Sequence, residues 1–199
     1  GTEAVFAKGR SGSIGSYSIV SDDDQLGTIT WCADDGVDMN SIAAQICINV
    51  DGTPGSNDTP GRMTFKTTAD GAASPTDQMV IDAAGKVTVS KILLANTSTA
   101  GSQTGSVTLD FAANQNFVLT FTGNVTLANP STESVGQSGV IVCIQDGTGS
   151  RTLSLGTDYE TAASGGITLS TGANDVDVIP YFVKAAGSIQ LGAVQLDFG

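Results

Sequence analysis

Apolar and polar residues alternate with a period of two through most of this chain, the spacing of a half-buried strand and not of a helix. In QICINV, Ile46, Ile48 and Val50 alternate with Cys47 and Asn49; in GRMTFKT, Met63, Phe65 and Thr67 alternate with Arg62, Thr64 and Lys66. Between them DGTPGSNDTPG gathers Gly, Pro, Asn and Asp so densely that only a loop fits, and Pro54-Gly55 and Pro60-Gly61 each suit the centre of a type II turn. Residues 43–71 are therefore a long-looped hairpin. Met79 and Ile81 then alternate with Val80 and Asp82, Ala84-Gly85 turns the chain, and Val87 and Val89 continue on the far side. Upstream, EAVFAK and SYSIV are short strand candidates. LGTITWCA sets Leu26, Thr28 and Thr30 opposite Ile29 and Trp31, and SIAAQICINV could start helical before its β-branched residues impose a strand.

The second half carries a cleaner pattern. SVTLDFA alternates Val107, Leu109 and Phe111 with Thr108 and Asp110, and NFVLTFTG sets Phe117, Leu119 and Phe121 on one face. GVIVCIQDG is apolar on both faces, which predicts a central, fully buried strand. RTLSLG, GITLST, DVDVIPYFVKA and SIQLGAVQLDF supply further strands. The fold class expected is all-β: two β-sandwich or jelly-roll-like modules in tandem, residues 1–94 and 107–199. Between them residues 95–106, a run of small polar residues and glycine, read either as a linker or as an extended segment along a trimer axis.

Composition narrows the function. Charged residues make up 14% of the 199, and a net charge of −12 leaves no basic patch to neutralise phosphates, so nucleic acid is not a partner. No apolar run approaches the ~18 residues a membrane span needs, and no membrane insertion is expected. Cys32, Cys47 and Cys143 form no framework spacing; Cys47 and Cys143 sit in apolar runs as small buried hydrophobes, while a Cys32–Cys47 bond stays open.

Catalytic chemistry finds little to work with. The chain has no histidine, hence no histidine-based triad or zinc site. GQSGV around Ser138 precedes a strand, unlike a nucleophile elbow, and reads as a turn; GTGSR at 147–151 lacks the Gly-Lys of a phosphate loop. Asp22, Asp23 and Asp24, then Asp34, Asp35 and Asp38, and finally Asp158 with Glu160 could pair as acids, but all sit in turns, where Asp is favoured for backbone bonding. No enzyme activity, cofactor or metal is expected. The exposed-looking aromatic residues are Trp31, Tyr159 and Tyr181; of these Trp31 follows an apolar run and reads as core, whereas Tyr159 lies in the polar stretch GTDYETAASGG. Loops at a sheet end carry specificity, so Asp158, Tyr159 and Glu160 are the candidate receptor-binding residues.

The wording INVDGTPGSNDTPGRMTFKTTADGAASPTDQMVIDAAGKVTV resembles a module found in tail fibres and related receptor-binding proteins of tailed bacteriophages. The likeness is carried by Val50 to Gly55, Pro60 to Arg62, Thr67 to Ala72, Ser74 to Thr76 and Asp82 to Val87. A second resemblance, to a C-terminal domain of phage tail fibres, rests on Leu109-Asp110-Phe111, Thr122 to Leu127, Gly136 to Gly139, Gln145-Asp146-Gly147 and Tyr181-Phe182-Val183. It implies a homotrimeric, non-enzymatic virion protein that attaches a phage to its bacterial host. The implied partners are other copies of itself, tail or baseplate proteins, and a host surface glycan or outer-membrane protein. Two other readings stay open: a capsid-surface head fibre or decoration protein, and a polysaccharide depolymerase. The start in mid-pattern, without Met, suggests the C-terminal part of a longer polypeptide.

Overall fold

The computed structural model describes residues 1–198, and the chain divides into two compact units between Leu93 and Leu94. Both are built of strands, as the alternation requires. The first unit holds β1 (Gln25–Ala33), β2 (Ser41–Val50), β3 (Gly61–Thr67), β4 (Thr76–Ile81) and β5 (Val87–Val89). They form one antiparallel sheet in chain order. β2 is extended from Ser41 onward, so its opening residues are strand and not helix. Gly85 and Gly71 take the left-handed conformation that their turns call for. The long β2–β3 loop departs from expectation: Gly55 and Gly61 are not left-handed, and Gly52 and Asn57 supply the positive φ instead.

EAVFAK and SYSIV form no strands. The N-terminal segment is held instead by charge: Arg10 donates to Asp24 at 2.7 Å and Lys8 lies 3.7 Å from the same carboxylate. The neighbouring acids are also engaged. Asp23 accepts from Arg62 at 2.6 Å and Asp22 from the Gly52 amide at 2.7 Å, so this turn ties three segments together instead of lying free in solvent. The turn at Asp34, Asp35 and Asp38 does what Asp favours, its carboxylates accepting from the amides of Gly36, Val37, Asp38 and Asn40.

The second unit holds β6 (Thr97–Thr108), β7 (Asn116–Ala128), β8 (Ser138–Gln145), β9 (Leu153–Leu155), β10 (Tyr159–Glu160), β11 (Val176–Ala185) and β12 (Ser188–Leu191). Their sheet runs β10-β12-β11-β8-β7-β6, with β9 paired to β7. It is mixed: β6, β8 and β9 lie parallel to β7, whereas β11 is antiparallel to both β8 and β12. Residues 95–106, expected as a linker or axial segment, supply most of β6. A backbone ladder needs no side-chain pattern, which is why this strand of Ser, Thr and Gly left no periodic signal.

β6 and β7 cannot be straight. A straight strand of 12 residues spans roughly 40 Å. The connection Leu109–Gln115 can bridge only about 25 Å, yet it returns the chain from the end of β6 to the start of β7. The pair therefore bends, and the bend is visible as two register shifts between Ala100 and Gly105 and as left-handed Ser102 and Gly105. β7 pairs β8 through Phe117–Phe121, then β9 through Val125–Leu127, so one strand serves two ladders across a corner. Gly123 sits at that corner, where a Cβ would overlap the Thr104 side chain.

This bent sheet encloses the core. Phe117, Leu119, Phe121, Val125, Leu127, Ile141, Ile179, Val183 and Ile189 are buried in one cluster. Each contributes about 1.5–3 kcal/mol relative to exposure. β8 lies centrally as expected, with Ile141 and Cys143 fully covered and the alternate residues half-buried. GITLST forms no strand, and the chain after Leu191 returns as a tail whose Gln195 bridges Val178 of β11. All three cysteines are free; Cys32 is exposed and faces Ile42 across the ladder, not Cys47.

Candidate interaction surfaces

The motifs most distinctive in the sequence turn out to hold the second unit together. Leu109 and Phe111 close its core from the β6–β7 connection, with Phe111 edge-on to Tyr181 at 5.2 Å between ring centroids. Gln137 donates to the carbonyls of Phe111 and Asn114 at 3.0 and 2.9 Å. Gly139 leaves room for the Gln115 carbonyl, which a Cβ would overlap. That carbonyl accepts the Tyr181 hydroxyl at 2.6 Å. GQSGV is thus a packing device, and Ser138 has no base beside it. Gln145 is buried and donates to the carbonyls of Arg151 and Ser170, both at 2.9 Å. Asp146 receives Arg151 at 2.8 Å, and that guanidinium holds its carboxyl below the usual carboxylate range. GTGSR is the turn between them.

The three candidate receptor residues separate. Tyr159 is only 6% exposed and belongs to the core cluster, so its ring offers no face to a sugar. The cause is its pairing: Tyr159 and Glu160 lie parallel to Ile189 and Gln190 of β12, which turns the tyrosine inward and the glutamate outward. Its hydroxyl is buried with no hydrogen-bond partner among the described residues, as is Oε2 of Glu133. Burial, then the nearby Glu133 and Asp158 carboxylates, raise its pKa above the ordinary tyrosine value. Asp158 is anchored by its backbone, accepting the Ile189 amide at 2.7 Å and donating to Asn129 at 3.1 Å. Its carboxylate stays near the surface turn at Gly187.

Glu160 does face outward. Ser188 donates to its Oε1 at 2.7 Å and Lys184 lies 3.1 Å from its Oε2; both bonds hold its pKa below the ordinary glutamate value. The strand register sets a row across the outer face: Glu160 opposite Gln190, Gln190 opposite Phe182, Phe182 opposite Ser138. Phe182 is 47% exposed. Shallow hollows of about 280 and 370 Å³ flank this row, and both are lined by Gln190 and Leu191. An acid, an amide, an aromatic ring and a hydroxyl thus stand side by side on rigid strands. The sequence reading missed Phe182 because DVDVIPYFV is apolar on both parities. The odd row Ile179, Tyr181 and Val183 faces in.

The first unit presents a different surface. Cross-strand register places Ile29, Ile46, Phe65, Met79 and Val89 in one row on one face of the sheet. The next row on that face is Gly27, Ile48, Met63, Ile81 and Val87. Trp31 extends the apolar face and is 50% exposed, where the sequence predicted core. Phe6 lies over Gly27 and helps line a hollow of about 340 Å³ with Ile46, Ile48 and Met63. The opposite face is mostly polar around the buried Cys47, and its polar groups are internally paired: Gln45 donates to Thr30, Lys66 meets Asp77 at 3.0 Å, and Arg62 meets Asp51 at 3.1 Å.

Among the described residues, no group of three or more His, Cys, Asp or Glu is placed to hold a metal ion. Residues 103–187 match a family model described as "Putative phage tail fibre C-terminal domain". No curated protein matches the chain. Among solved structures, the chain is similar to the carboxy-terminal domain of the bacteriophage T5 L-shaped tail fibre, at 19% identity and a TM-score of 0.39, over 45% of this chain and 34% of that one. It is also similar to the same domain with its intramolecular chaperone domain, at 17% identity and a TM-score of 0.38, over 46% of this chain and 23% of that one. The chain thus spans about a third or less of the solved structures it matches.

Proposed function

We propose, from the match of residues 103–187 to the model of a phage tail fibre C-terminal domain, that this chain attaches a bacteriophage to the surface of its bacterial host. The family match is the observation that carries the tail fibre role. Attachment itself is our reading of the outer face of β10, β12 and β11. Flat, rigid, mixed surfaces of this kind suit glycans: a ring such as Phe182 stacks on the apolar face of a sugar, while Glu160, Gln190 and Lys184 meet its hydroxyls. Asp158 lies at the rim of this strip, and Tyr159 supports it from beneath. The role is non-enzymatic. The chain works as a homotrimer joined to other tail proteins, because several copies turn shallow, weak contacts into firm attachment.

Purified protein should compete with the phage for host cells, and Phe182→Ala combined with Gln190→Ala should abolish the competition while leaving the fold intact by circular dichroism. Competition unaffected by that double variant would remove the strip from the reading. Imaging of intact virions tests the location. Threefold density projecting from the tail supports it, and density on the capsid surface overturns it.

A further inference from the structure

The two units differ in how they bury apolar side chains. The second has a closed core, whereas the buried apolar residues of the first are Val20, Cys47 and Val50. Its sheet has an apolar face five strands wide, and Ile29, Trp31, Met63, Val87 and Val89 on that face are each 38–55% exposed. Side chains of that size leave on the order of 500 Å² of apolar surface, at the top of the ~300–600 Å² found on monomers and more than half of one side of a standard interface, about 800 Å².

We propose that this face is where copies of the chain meet, sheet face to sheet face. Three observations select a copy of the same chain as the occupant. A sheet with one bare apolar face is an unfinished layer of a core, and every copy carries the same unfinished layer. The two apolar rows and Trp31 contain no charged residue, while the chain as a whole carries −12. Two such acidic chains can therefore approach on this surface without facing like charges. Finally, the cations of the sheet, Arg62 and Lys66, are on the opposite face and already paired with aspartates of their own chain. No charged group of the sheet is left over to recruit a partner of opposite sign.

The inference rests on the self-assembly part of the reading above and is independent of host attachment, which the adsorption assay tests separately. β5 provides an internal control, because its successive residues point to opposite faces. The full chain, studied by native mass spectrometry and sedimentation over a concentration series, should assemble into multiples of its 20.0 kDa mass. Val87→Glu and Val89→Glu should weaken that assembly at least about a hundredfold by setting like charges across the contact, and Thr88→Glu should leave it unchanged. Oxidation of wild-type methionines gives a readout without substitution. Met63 should become protected as concentration rises, while Met39, 64% exposed and outside the face, should not. A wild-type chain that stays monomeric overturns both the face and the assembly. One that assembles alike with Val89→Glu, or leaves Met63 as reactive as Met39, overturns the face alone.

Discussion

Two tyrosines share one core and differ in a single bond, and removing each hydroxyl should change stability in opposite directions. Tyr181 and Tyr159 are 4% and 6% exposed. The first donates to the Gln115 carbonyl at 2.6 Å; the second has no partner among the described residues. Tyr181→Phe keeps the ring against Phe111 and Phe117 but strips that carbonyl of its donor, so it should cost about 1–1.5 kcal/mol. Tyr159→Phe deletes a hydroxyl whose burial without a bond costs on the order of 1–3 kcal/mol, and should stabilise the unit by roughly 1 kcal/mol. The single tryptophan, Trp31, belongs to the first unit. Its fluorescence in a denaturant series therefore reports that unit, while tyrosine near-ultraviolet circular dichroism follows the second. Alkali provides a further check. Burial pushes the Tyr181 pKa up to about 12, against about 10 in an unfolded chain. A raised pKa means the folded state holds the proton longer, so the contribution is complete below pH ~10 and is lost as pH rises toward 12. Tyr159 is raised in the same sense. Tyr181→Phe should flatten part of that decline. A Tyr159→Phe variant that melts more than 1 kcal/mol below wild type would refute the reasoning, since its hydroxyl would then have to be bonded.

Gly139→Ala forces a methyl against the Gln115 carbonyl and displaces the acceptor of Tyr181. It should destabilise the second unit by about 2–3 kcal/mol in the same denaturant series. Asp177 is fully buried and accepts from the Ser170 amide, the Ser170 hydroxyl and the Asp197 amide at 2.8, 2.7 and 3.0 Å. Asp177→Ala leaves all three donors unpaired and should cost roughly 3–5 kcal/mol. Hydrogen exchange of the β11 amides, falling to the level of an unfolding unit, checks it. Native protein should titrate one thiol with a disulfide reagent, Cys32. Cys47 is buried, and burial pushes the Cys143 thiol up to about 12, so both should react only on unfolding.

Much of the first sheet was legible because its alternation is strict. Ile46 and Ile48, Met63 and Phe65, Met79 and Ile81, Val87 and Val89 announced one face, and the register places them on one. Periodicity reports which side chains agree, not what covers them, and so Trp31 was expected in a core that the first unit does not close. The second unit hid more. β6 is a strand of small polar residues whose signal is backbone pairing alone. Tyr159 is buried by a ladder to residues 30 positions later in the chain, a contact that no local window contains. Of the candidate site only Glu160 was placed on the outer face by the fold, and its neighbours Gln190 and Phe182 come from other strands. Such a row exists only once register is known.

The edges of the two sheets carry a consequence of their own. β1 is bulged at both ends, β5 is three residues long, β6 is kinked around Ser102 and Gly105, and β10 is two residues long. None of the four is a long, flat ladder of free amides and carbonyls on which a foreign strand could be templated. Runaway strand-on-strand growth begins at such edges, and here each of these four is bent or cut short. Association through the apolar face of the first sheet, as proposed above, would close after a fixed number of partners, where edges would polymerise without limit.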